Sequence, residues 1–582
     1  MDVDPSVPIA GEPMAETAAW WLAARAEMDG LGAGAGLNIA HECVDRHAGD
    51  PLSANRVALR AVSRAGRRTD MTYAELAAST SRFANLLGEL GVAPGDSLFT
   101  LLGRVPDLYV SVLGGLKALV VVSPLFAAFG PEPIRQRLEL GDARVLVTTE
   151  ALYRRRIEPI RHELSTLRHV LLSGPVRDLP RGTMRLDEAL SGAAPTHTIA
   201  PTRPDHPSFI HFTSGTTGTP KGALHVHEAV VAHHATAVFS LDLRASDTYW
   251  CTADPGWVTG TSYGIVGPLS VGATVIVDDA GFDPVRWYGL IAEEKIDVWY
   301  TAPTALRMLM RAGPEVAAAH DLTSLRHVAS VGEPLNAEVV RWGADALGVE
   351  IHDTWWQTET GSIMVHNPPD VAVVPGSMGV AIPGVEIGVV REGEGEHSQP
   401  SLSGPAEGQL AIRTPWPSMF RDYVGDHQRY ESCFADGWYL SGDLVQRDES
   451  DRLWFVGRAD DVIKSAGHLV GPFEVESVLI EHPAVAEAAV IGVPDPVAGE
   501  RIKAFVVLNA GHARSDQLLM DLMALARRRL GPAVAPRQIT VVDDLPHTRS
   551  GKVMRRLLKA RETGEAEGDL STLEPPSGGD RD

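Results

Sequence analysis

Segments of strand length and helix length alternate most clearly in residues 273–352, which read ATVIVDDAGFDPVRWYGLIAEEKIDVWYTAPTALRMLMRAGPEVAAAHDLTSLRHVASVGEPLNAEVVRWGADALGVEIH. The pattern predicts strands and helices in turn, at Ala273–Val277, Pro284–Lys295, Val298–Tyr300, Thr304–Ala312, Leu325–Val331, Ala337–Leu347 and Val349–His352. Strands that alternate with helices of this length are typical of parallel sheets covered by helices. Ligands bind such sheets at the carboxyl ends of strands, so functional residues are expected there.

The same α/β pattern extends outward and predicts a large N-terminal domain of parallel and mixed sheets covered by helices, at residues 36–458. Residues 459–563 predict a small, mobile α+β domain, with helices and strands at 472–482, 488–493, 502–508 and 515–530. Residues 1–35 are interpreted as a loosely attached arm whose Trp20–Trp21 pair packs on the body. Residues 564–582 are rich in Glu, Gly and Pro, which predicts a flexible tail.

Composition excludes several classes of function. The formal net charge of −23 would repel a phosphate backbone, so nucleic acid is not expected as a partner. The three cysteines lack CxxC spacing, which argues against a disulfide framework or a cysteine-rich metal site. The N-terminus shows no secretory signal, and the apolar stretch 110–129 is interrupted by Lys117 and Pro124, which favours a buried helix and strand over a membrane span. A cytoplasmic protein without a membrane partner is predicted.

A loop rich in glycine and hydroxyl groups follows the predicted strand Ser208–Phe212 and reads TSGTTGTPKG at residues 213–222. Glycine lets backbone N–H groups approach an anion, while hydroxyls and Lys221 add donors and charge. A helix predicted from about His227 would direct its positive end back at the loop. The loop is not a Walker motif, because Pro220 and Gly222 flank the lysine. The alternative is a polar surface turn, but the density of donors favours a phosphate site. Four nearby histidines are interpreted as solvated or packed residues, since no carboxylate stands at metal-ligand spacing: His225, His227, His233 and His234.

This loop resembles the signature loop of the acyl-adenylate-forming enzymes, which include acyl-CoA synthetases, luciferases and peptide-synthetase adenylation domains. The resemblance implies ATP as a substrate. It implies catalytic roles for Thr213 and Lys221, and nucleotide contacts from Thr216, Thr217 and Gly218.

Further segments resemble the nucleotide site of the same enzymes. The segment DTWWQTETG at 353–361 resembles their adenine and Mg²⁺ segment, which implies Glu359 as the metal carboxylate and a catalytic residue. GEP at 332–334 resembles an adenine-lining segment, and YLSGD at 439–443 with Gly457–Arg458 resembles the ribose contacts. The nucleotide contacts implied in this way are Gly332, Glu333, Pro334, Asp353, Thr354, Trp355, Gln357, Thr358, Asp443 and Arg458.

The basic segment HTRSGKVMRR at 547–556 resembles the last motif of the family, in which the lysine contacts the acid carboxylate and the α-phosphate. By this resemblance Lys552 is the catalytic cation of adenylate formation. The family rotates its small domain between the two half-reactions, and Asp460 matches the hinge position. The motif also resembles the sequence around a lysine that is acetylated in bacterial acetyl-CoA synthetases. A lysine acetyltransferase and a deacetylase acting on Lys552 are therefore implied as regulatory partners.

The resemblance to the short bacterial acetyl-CoA synthetases covers nearly the whole chain, from residues 37–47 to residues 568–572. It implies an AMP-forming ligase whose substrates are acetate or another short acid, ATP and coenzyme A. The implied acyl pocket is Trp257, Val258, Thr259, Val331 and Trp356, where tryptophan leaves room for an acetyl or propionyl group. Trp356 as a plain core residue is the alternative. The implied coenzyme A contacts are Ala466, Gly467 and Arg527.

Two positions depart from that family. Leu469 stands where an arginine is usual, and His547 replaces a lysine. The alternatives that stay open are a synthetase for propionate or for medium-chain or branched acids, an adenylation module, and a nucleotide-binding pseudoenzyme. The presence of Lys221, Glu359 and Lys552 argues against the pseudoenzyme.

Overall fold

The computed structural model describes residues 15–213, 220–391, 399–459, 461–465, 468–495, 498–532, 534–548, 552–567, 570 and 573, without the side chains of 468 and 469. The chain forms a large α/β N-terminal domain and a smaller C-terminal domain built on its own sheet. The predicted fold class is confirmed.

The strands of residues 273–352 belong to one large sheet. In spatial order its strands are Val380–Ala381, Val365–His366, Ile351–Trp355, His327–Ser330, Val298–Thr301, Thr248–Cys251, Thr274–Asp278, Val57–Val62 and Arg68–Thr72. The strands from Ile351–Trp355 to Val57–Val62 pair in parallel. Helices Pro284–Glu294, Pro303–Ala312 and Ala337–Ala346 connect them, each within two residues of its predicted ends. Pro284 at the first turn, after the capping Asp283, fixes the start of one helix.

A second sheet carries the strands on either side of the glycine-threonine loop. Its strands are Asp422–Tyr423, Lys221–Val226, Pro207–Thr213, Val121–Pro124, Ser97–Leu101, Ala143–Thr149, His169–Ser173 and Met184–Arg185. A third, antiparallel sheet contains Ile387–Val390, Ala406–Arg413, Trp438–Arg447 and Phe434–Ala435, with Leu453–Arg458 paired to Trp438–Arg447. The sheet of the small domain contains His468–Val470, Ile463–Ser465, Gly499–Leu508 and Val485–Asp495, with Gln538–Val541 paired to Gly499–Leu508.

Helices cover these sheets. The other α-helices of the large domain are Ala15–Ala26, Arg46–Gly49, Tyr73–Glu89, Pro106–Lys117, Pro131–Leu140, Glu150–Leu152, Leu186–Ser191, Ala229–Ser240, Val258–Thr261, Gly267–Val271, Pro314–Ala318 and His427–Glu431. Short 3₁₀ and π turns lie at Gly32–Gly34, His41–Asp45, Tyr153–Ile157, Glu158–Ile160 and Ser262–Val266. The small domain has Pro472–Ile480, Asp516–Leu530 and Arg555–Thr563.

One prediction about the glycine-threonine loop is wrong: the helix after it does not direct its positive end at the loop. The residues after the loop form strand Lys221–Val226, antiparallel to Pro207–Thr213, and the helix begins only at Ala229. Six residues of strand extend about 20 Å, so the positive end of that helix lies far from the loop. The histidines in this region are packed rather than solvated, since His225 and His233 are both buried.

The arm packs on the body as predicted. Helix Ala15–Ala26 places Trp21 so that its Nε1 donates to the carbonyl oxygen of Gly384 at 2.6 Å. Trp20 packs edge-on against Phe239, with ring centroids 6.0 Å apart. The predicted helix and strand within the apolar stretch 110–129 are also present, as parts of Pro106–Lys117 and Val121–Pro124.

Candidate active site

A cavity of about 840 Å³ lies at the carboxyl ends of strands His327–Ser330 and Ile351–Trp355. The small domain lines its other side through residues that include Lys552 and His547. The predicted site residues that line this cavity are Thr213, Lys221, Val258, Thr259, Val331, Gly332, Glu333, Pro334, Asp353, Thr354, Trp355, Trp356, Gln357, Thr358, Glu359, Asp443, Arg458 and Lys552. Residues far apart in the sequence therefore meet around one space.

Other predicted site residues lie elsewhere. Trp257 packs against Phe126 and Phe129, with ring centroids 5.6 Å and 5.9 Å apart, instead of lining the cavity. Arg527 is exposed in the last turn of helix Asp516–Leu530. Several predictions fall outside the described residues: Thr216, Thr217, Gly218, Asp460, Ala466, Gly467 and the side chain of Leu469.

Asp443 is the centre of a polar network on one side of the cavity. It is buried, and its Oδ2 accepts hydrogen bonds from Trp355 Nε1 and Gln357 Nε2, each at 2.9 Å. Its Oδ1 accepts one from Arg458 at 2.9 Å. Burial raises the pKa of Asp443, while Arg458 and Trp355 lower it. The network holds a carboxylate at the cavity wall, where it can accept hydrogen bonds from a diol such as ribose.

Asp353 is a second buried carboxyl group at the end of strand Ile351–Trp355. Burial raises its pKa to about 7, against the hydrogen bond that Ser330 Oγ donates to it at 2.6 Å. Its register opposite Ser330 in the neighbouring parallel strand explains this contact.

The apolar wall of the cavity includes Val258, Val331 and Trp356. Trp356 is buried, and its Nε1 donates to the hydroxyl of Tyr300 at 3.0 Å. The ring of Tyr263 packs edge-on against the indole, with centroids 5.2 Å apart. The indole is thus held by two tyrosines from behind the wall.

Glu359 lies near the strands that enclose the glycine-threonine loop. Its Oε1 accepts a hydrogen bond from the hydroxyl of Tyr423 at 2.6 Å. Lys221 places its Nζ 5.8 Å from the centre of the Tyr423 ring. Burial lowers the pKa of Lys221 and Arg429 lowers it further, while Glu359 raises it. A carboxylate and a cation therefore face the same part of the cavity.

Lys552 approaches the cavity from the small domain. Its backbone N–H donates to Thr548 Oγ1 at 3.0 Å, and its carbonyl accepts from the Thr548 N–H at 2.6 Å. These bonds hold the backbone of Lys552 against Thr548, and the side chain lines the cavity while remaining open to solvent. Desolvation by the surrounding protein lowers the pKa of the ammonium group, while Glu333 and Asp443 raise it.

Polar contacts join the two domains beside the cavity. Arg311 of the large domain pairs with Glu487 of the small domain at 3.2 Å, and Asn336 Nδ2 donates to Ser477 Oγ at 2.9 Å. Glu487 also pairs with His547 Nε2 at 3.3 Å. Burial alone would lower the pKa of His547, but the hydrogen bond and charge of Glu487 raise it.

Sequence reasoning missed Tyr423, Tyr300 and the pair Arg311–Glu487. Each acts through a partner more than fifty residues away in the chain, and no local pattern marks such a pairing. The sequence marks His547 as a departure from the family pattern, but it does not reveal the partner Glu487.

The oxygen donors of the cavity fit a hard cation that a protein carboxylate and the phosphate oxygens of a nucleotide would hold together. Over the described ranges, no group of three or more His, Cys, Asp or Glu side chains could hold a metal ion. Glu359 provides one oriented carboxylate at the cavity. Mg²⁺ commonly uses one or two protein carboxylates together with substrate phosphates.

Comparison with known proteins agrees with this geometry. Residues 49–424 match the AMP-binding enzyme family, and residues 474–552 match the AMP-binding enzyme C-terminal domain. The chain belongs to the AMP-binding enzyme family.

The relatives it resembles include an acetyl-coenzyme A synthetase of Bacillus subtilis, 47% identical over 541 residues that cover 92% of this chain and 93% of the relative. An acetyl-coenzyme A synthetase of Pyrobaculum aerophilum is 39% identical and covers 93% of this chain and 85% of its own length. Among solved structures, a Brucella canis acyl-CoA synthetase is 36% identical with a TM-score of 0.72, covering 93% and 97% of the two chains. The anthranilate CoA ligase AuaEII in complex with anthranoyl-AMP is 27% identical with a TM-score of 0.82, covering 90% and 97%.

None of the helices described in the structure has both the length and the apolar character needed to cross a bilayer.

Proposed function

We propose that the chain is an AMP-forming acetyl-CoA synthetase. It joins acetate, ATP and coenzyme A into acetyl-CoA, AMP and diphosphate through acetyl-AMP. The observation that carries this proposal is the single cavity in which Lys552, the Asp443 network and the Trp356 wall meet. The acetyl-coenzyme A synthetases that resemble the chain over most of its length support the same activity.

In the first half-reaction, an oxygen of the acid carboxylate attacks the α-phosphorus of ATP, and the bond from that phosphorus to the diphosphate oxygen breaks. Negative charge is concentrated around the α-phosphate as this happens. Lys552 is proposed to stabilise that charge from the small-domain side, with Thr358 contacting the same phosphate. Thr213 and Lys221, at the two ends of the glycine-threonine loop, are proposed to hold the outer phosphates.

Glu359 is proposed to hold Mg²⁺ together with the phosphate oxygens of ATP, with Tyr423 fixing the carboxylate. The cation neutralises phosphate charge when it is bound. Asp443 and Arg458 are proposed to bind the ribose hydroxyls, and Gly332 to Pro334 to line the adenine.

In the second half-reaction, the sulfur of coenzyme A attacks the acyl carbon of acetyl-AMP, and AMP leaves. Lys552 occupies the cavity in this structure, so we propose that the small domain rotates about Asp460 to admit the thiol. The proposed boundaries are residues 36–458 for the large domain and 459–563 for the small one. Ala466, Gly467 and Arg527 are proposed coenzyme A contacts, and Leu469 stands in the sequence where related enzymes usually have a phosphate-binding arginine. The polar interdomain contacts of Arg311 and Asn336 support an interface that can open.

Acid size is proposed to be limited by the indole of Trp356, which lines the same cavity as Val258 and Thr259. Lys552 is also proposed as a site of reversible acetylation in the cytoplasm, because its side chain is open to solvent and acetylation removes the charge that adenylation needs.

The test is ATP–diphosphate exchange with acetate, propionate, butyrate and octanoate, followed by chromatographic detection of the acyl-CoA thioester. We expect exchange and thioester formation with acetate, dependent on Mg²⁺. Absence of exchange with every acid would refute the enzyme activity. Exchange with octanoate but not acetate would refute the assigned acid. Exchange without thioester formation would refute coenzyme A as the acceptor.

A further inference from the structure

Tyr300 lies directly behind the acyl wall of the cavity. It belongs to strand Val298–Thr301, is fully buried, and contacts the cavity only through its neighbours. Its hydroxyl oxygen lies 3.0 Å from Trp356 Nε1 and 2.7 Å from Thr354 Oγ1. Tyr300 therefore connects the residue proposed to limit acid size with the nucleotide-lining strand.

These hydrogen bonds form a series, and the chemistry of the groups determines which group donates in each bond. An indole N–H can only donate, so the Tyr300 hydroxyl accepts from Trp356. Thr354 donates its single hydroxyl proton to the carbonyl oxygen of Ser330 at 2.7 Å. The hydroxyl proton of Tyr300 must then point to Thr354. The bonds run in one direction, from Trp356 through Tyr300 and Thr354 to Ser330.

Burial makes this series of hydrogen bonds costly to break. Trp356, Tyr300, Thr354 and Ser330 are all buried, so a broken bond leaves a polar group without water to replace its partner. Burial raises the pKa of Tyr300 well above its usual range, so its hydroxyl keeps the proton that it donates. The edge-on ring of Tyr263 limits the indole from the adjacent side.

We infer that Tyr300 is a positioning residue for acid selectivity: its hydroxyl holds the Trp356 indole across the acyl pocket, and losing it lets the indole turn and admit longer acids. This inference rests on the proposed function. It assigns the size limit to a hydrogen bond as well as to the volume of the tryptophan.

The test is Tyr300→Phe, assayed for kcat/KM with acetate and with butyrate at saturating ATP and coenzyme A. The ratio of butyrate to acetate is expected to rise about threefold to tenfold, the factor that a net hydrogen bond contributes to an equilibrium. The ratio cancels losses that affect both acids equally, so a merely destabilised enzyme would not change it.

Tyr263→Phe is the matched control. It removes a hydroxyl from an equally buried tyrosine on the same indole, but that hydroxyl bonds Thr236 at 2.7 Å and the Ile363 N–H at 2.8 Å. It is expected to keep the wild-type ratio. Thr354→Val is a second probe, since it interrupts the same series of hydrogen bonds one bond further from the indole and is expected to raise the ratio by a smaller factor.

An unchanged ratio in folded Tyr300→Phe would overturn the inference, as would an equal rise in Tyr263→Phe. If Tyr300→Phe does not fold, an unchanged ratio in Thr354→Val overturns it. A wild-type enzyme that forms no acyl-CoA from any acid would instead refute the proposed function. If the wild-type enzyme is active on acetate and Tyr300→Phe has the same butyrate-to-acetate ratio as the wild type, only this inference is refuted.

Discussion

Replacing Arg311 by glutamine should slow adenylate formation and leave thioester formation intact. Arg311 is the large-domain half of the ion pair with Glu487, at 3.2 Å, in the conformation that holds Lys552 in the cavity. The side chains of Arg311 and Glu487 are 33% and 20% exposed, so solvent screens the pair in part. We therefore assign the ion pair an interaction free energy of about 1 kcal/mol, near the upper end for exposed pairs. This corresponds to about a fivefold decrease in the equilibrium constant for closing, and to at most that decrease in the closed population.

The assay measures each half-reaction by itself. Acetate-dependent ATP–diphosphate exchange reports the first, and conversion of synthetic acetyl-AMP with coenzyme A reports the second. Arg311→Gln should lower exchange by up to about fivefold, because only adenylation needs this contact. The conversion of acetyl-AMP should be unchanged or faster.

Arg154→Gln is the matched control. Arg154 pairs with Glu150 at 3.0 Å, their side chains are 37% and 16% exposed, and the charged groups that act on Arg154 all belong to the large domain. Its loss removes an ion pair of comparable exposure within one domain, so both half-reactions should proceed as in the wild type. An equal decrease of both half-reactions in Arg311→Gln, or the same behaviour in the two variants, would refute the assigned role.

Further tests address the remaining contacts of the cavity. Lys552→Gln should lower diphosphate exchange by at least about a hundredfold, the usual cost of losing a group that stabilises transition-state charge; turnover of acetyl-AMP with coenzyme A should persist, and its parallel loss would argue against the assignment. The ion pair of His547 and Glu487 gives a pH dependence. The raised pKa of His547 means that its contribution to stability is fully present below the unfolded value of about 6.5 and is lost as pH rises through the folded pKa. The lowered pKa of Glu487 means that its contribution is present above its unfolded pKa and is lost as pH falls through the folded one. The thermal unfolding temperatures of the wild type and of His547→Gln should therefore converge as pH rises. A difference between them that stays constant across pH would count against a stabilising His547–Glu487 pair. Tyr423→Phe frees the Glu359 carboxylate, so exchange at limiting Mg²⁺ should fall about threefold to tenfold and recover with excess Mg²⁺; a decrease that Mg²⁺ cannot restore would contradict this role.

The sequence predicted those parts of the fold that local periodicity controls. Between residues 273 and 352 the apolar patterns located the strands and three of the four helices, because buried parallel strands and amphipathic helices differ in period and length. The five-residue helix Pro314–Ala318 is too short to show a period. The strand Lys221–Val226 was not predicted, because its pairing with Pro207–Thr213 depends on a partner strand that no local pattern reveals. Short apolar runs between polar turns suit either a strand or the approach to a helix.

The candidate site was predictable where motif residues follow one another at strand ends. The position of a site residue was not predictable where its side chain points in a different direction from those of its sequence neighbours. The family resemblance implies an acyl pocket that includes Trp257 beside Val258 and Thr259, yet Trp257 is the N-cap of helix Val258–Thr261, with an extended backbone. The change from extended to helical backbone sends its ring toward Phe126, while the next residues face the cavity.

The period of a strand explains how one short segment serves two substrate sites. Thr354 and Trp356 both contact Tyr300, behind the acyl wall, whereas Trp355 and Gln357 both donate to Asp443, in the proposed ribose site. Alternate residues of a strand point in opposite directions, and the contacts show that this alternation continues through Trp356 and Gln357, just beyond the end of strand Ile351–Trp355. A shift of one residue in this segment would exchange the two sets and disrupt both walls together. The acyl wall and the ribose-side carboxylate are therefore fixed relative to each other by the backbone of a single strand end.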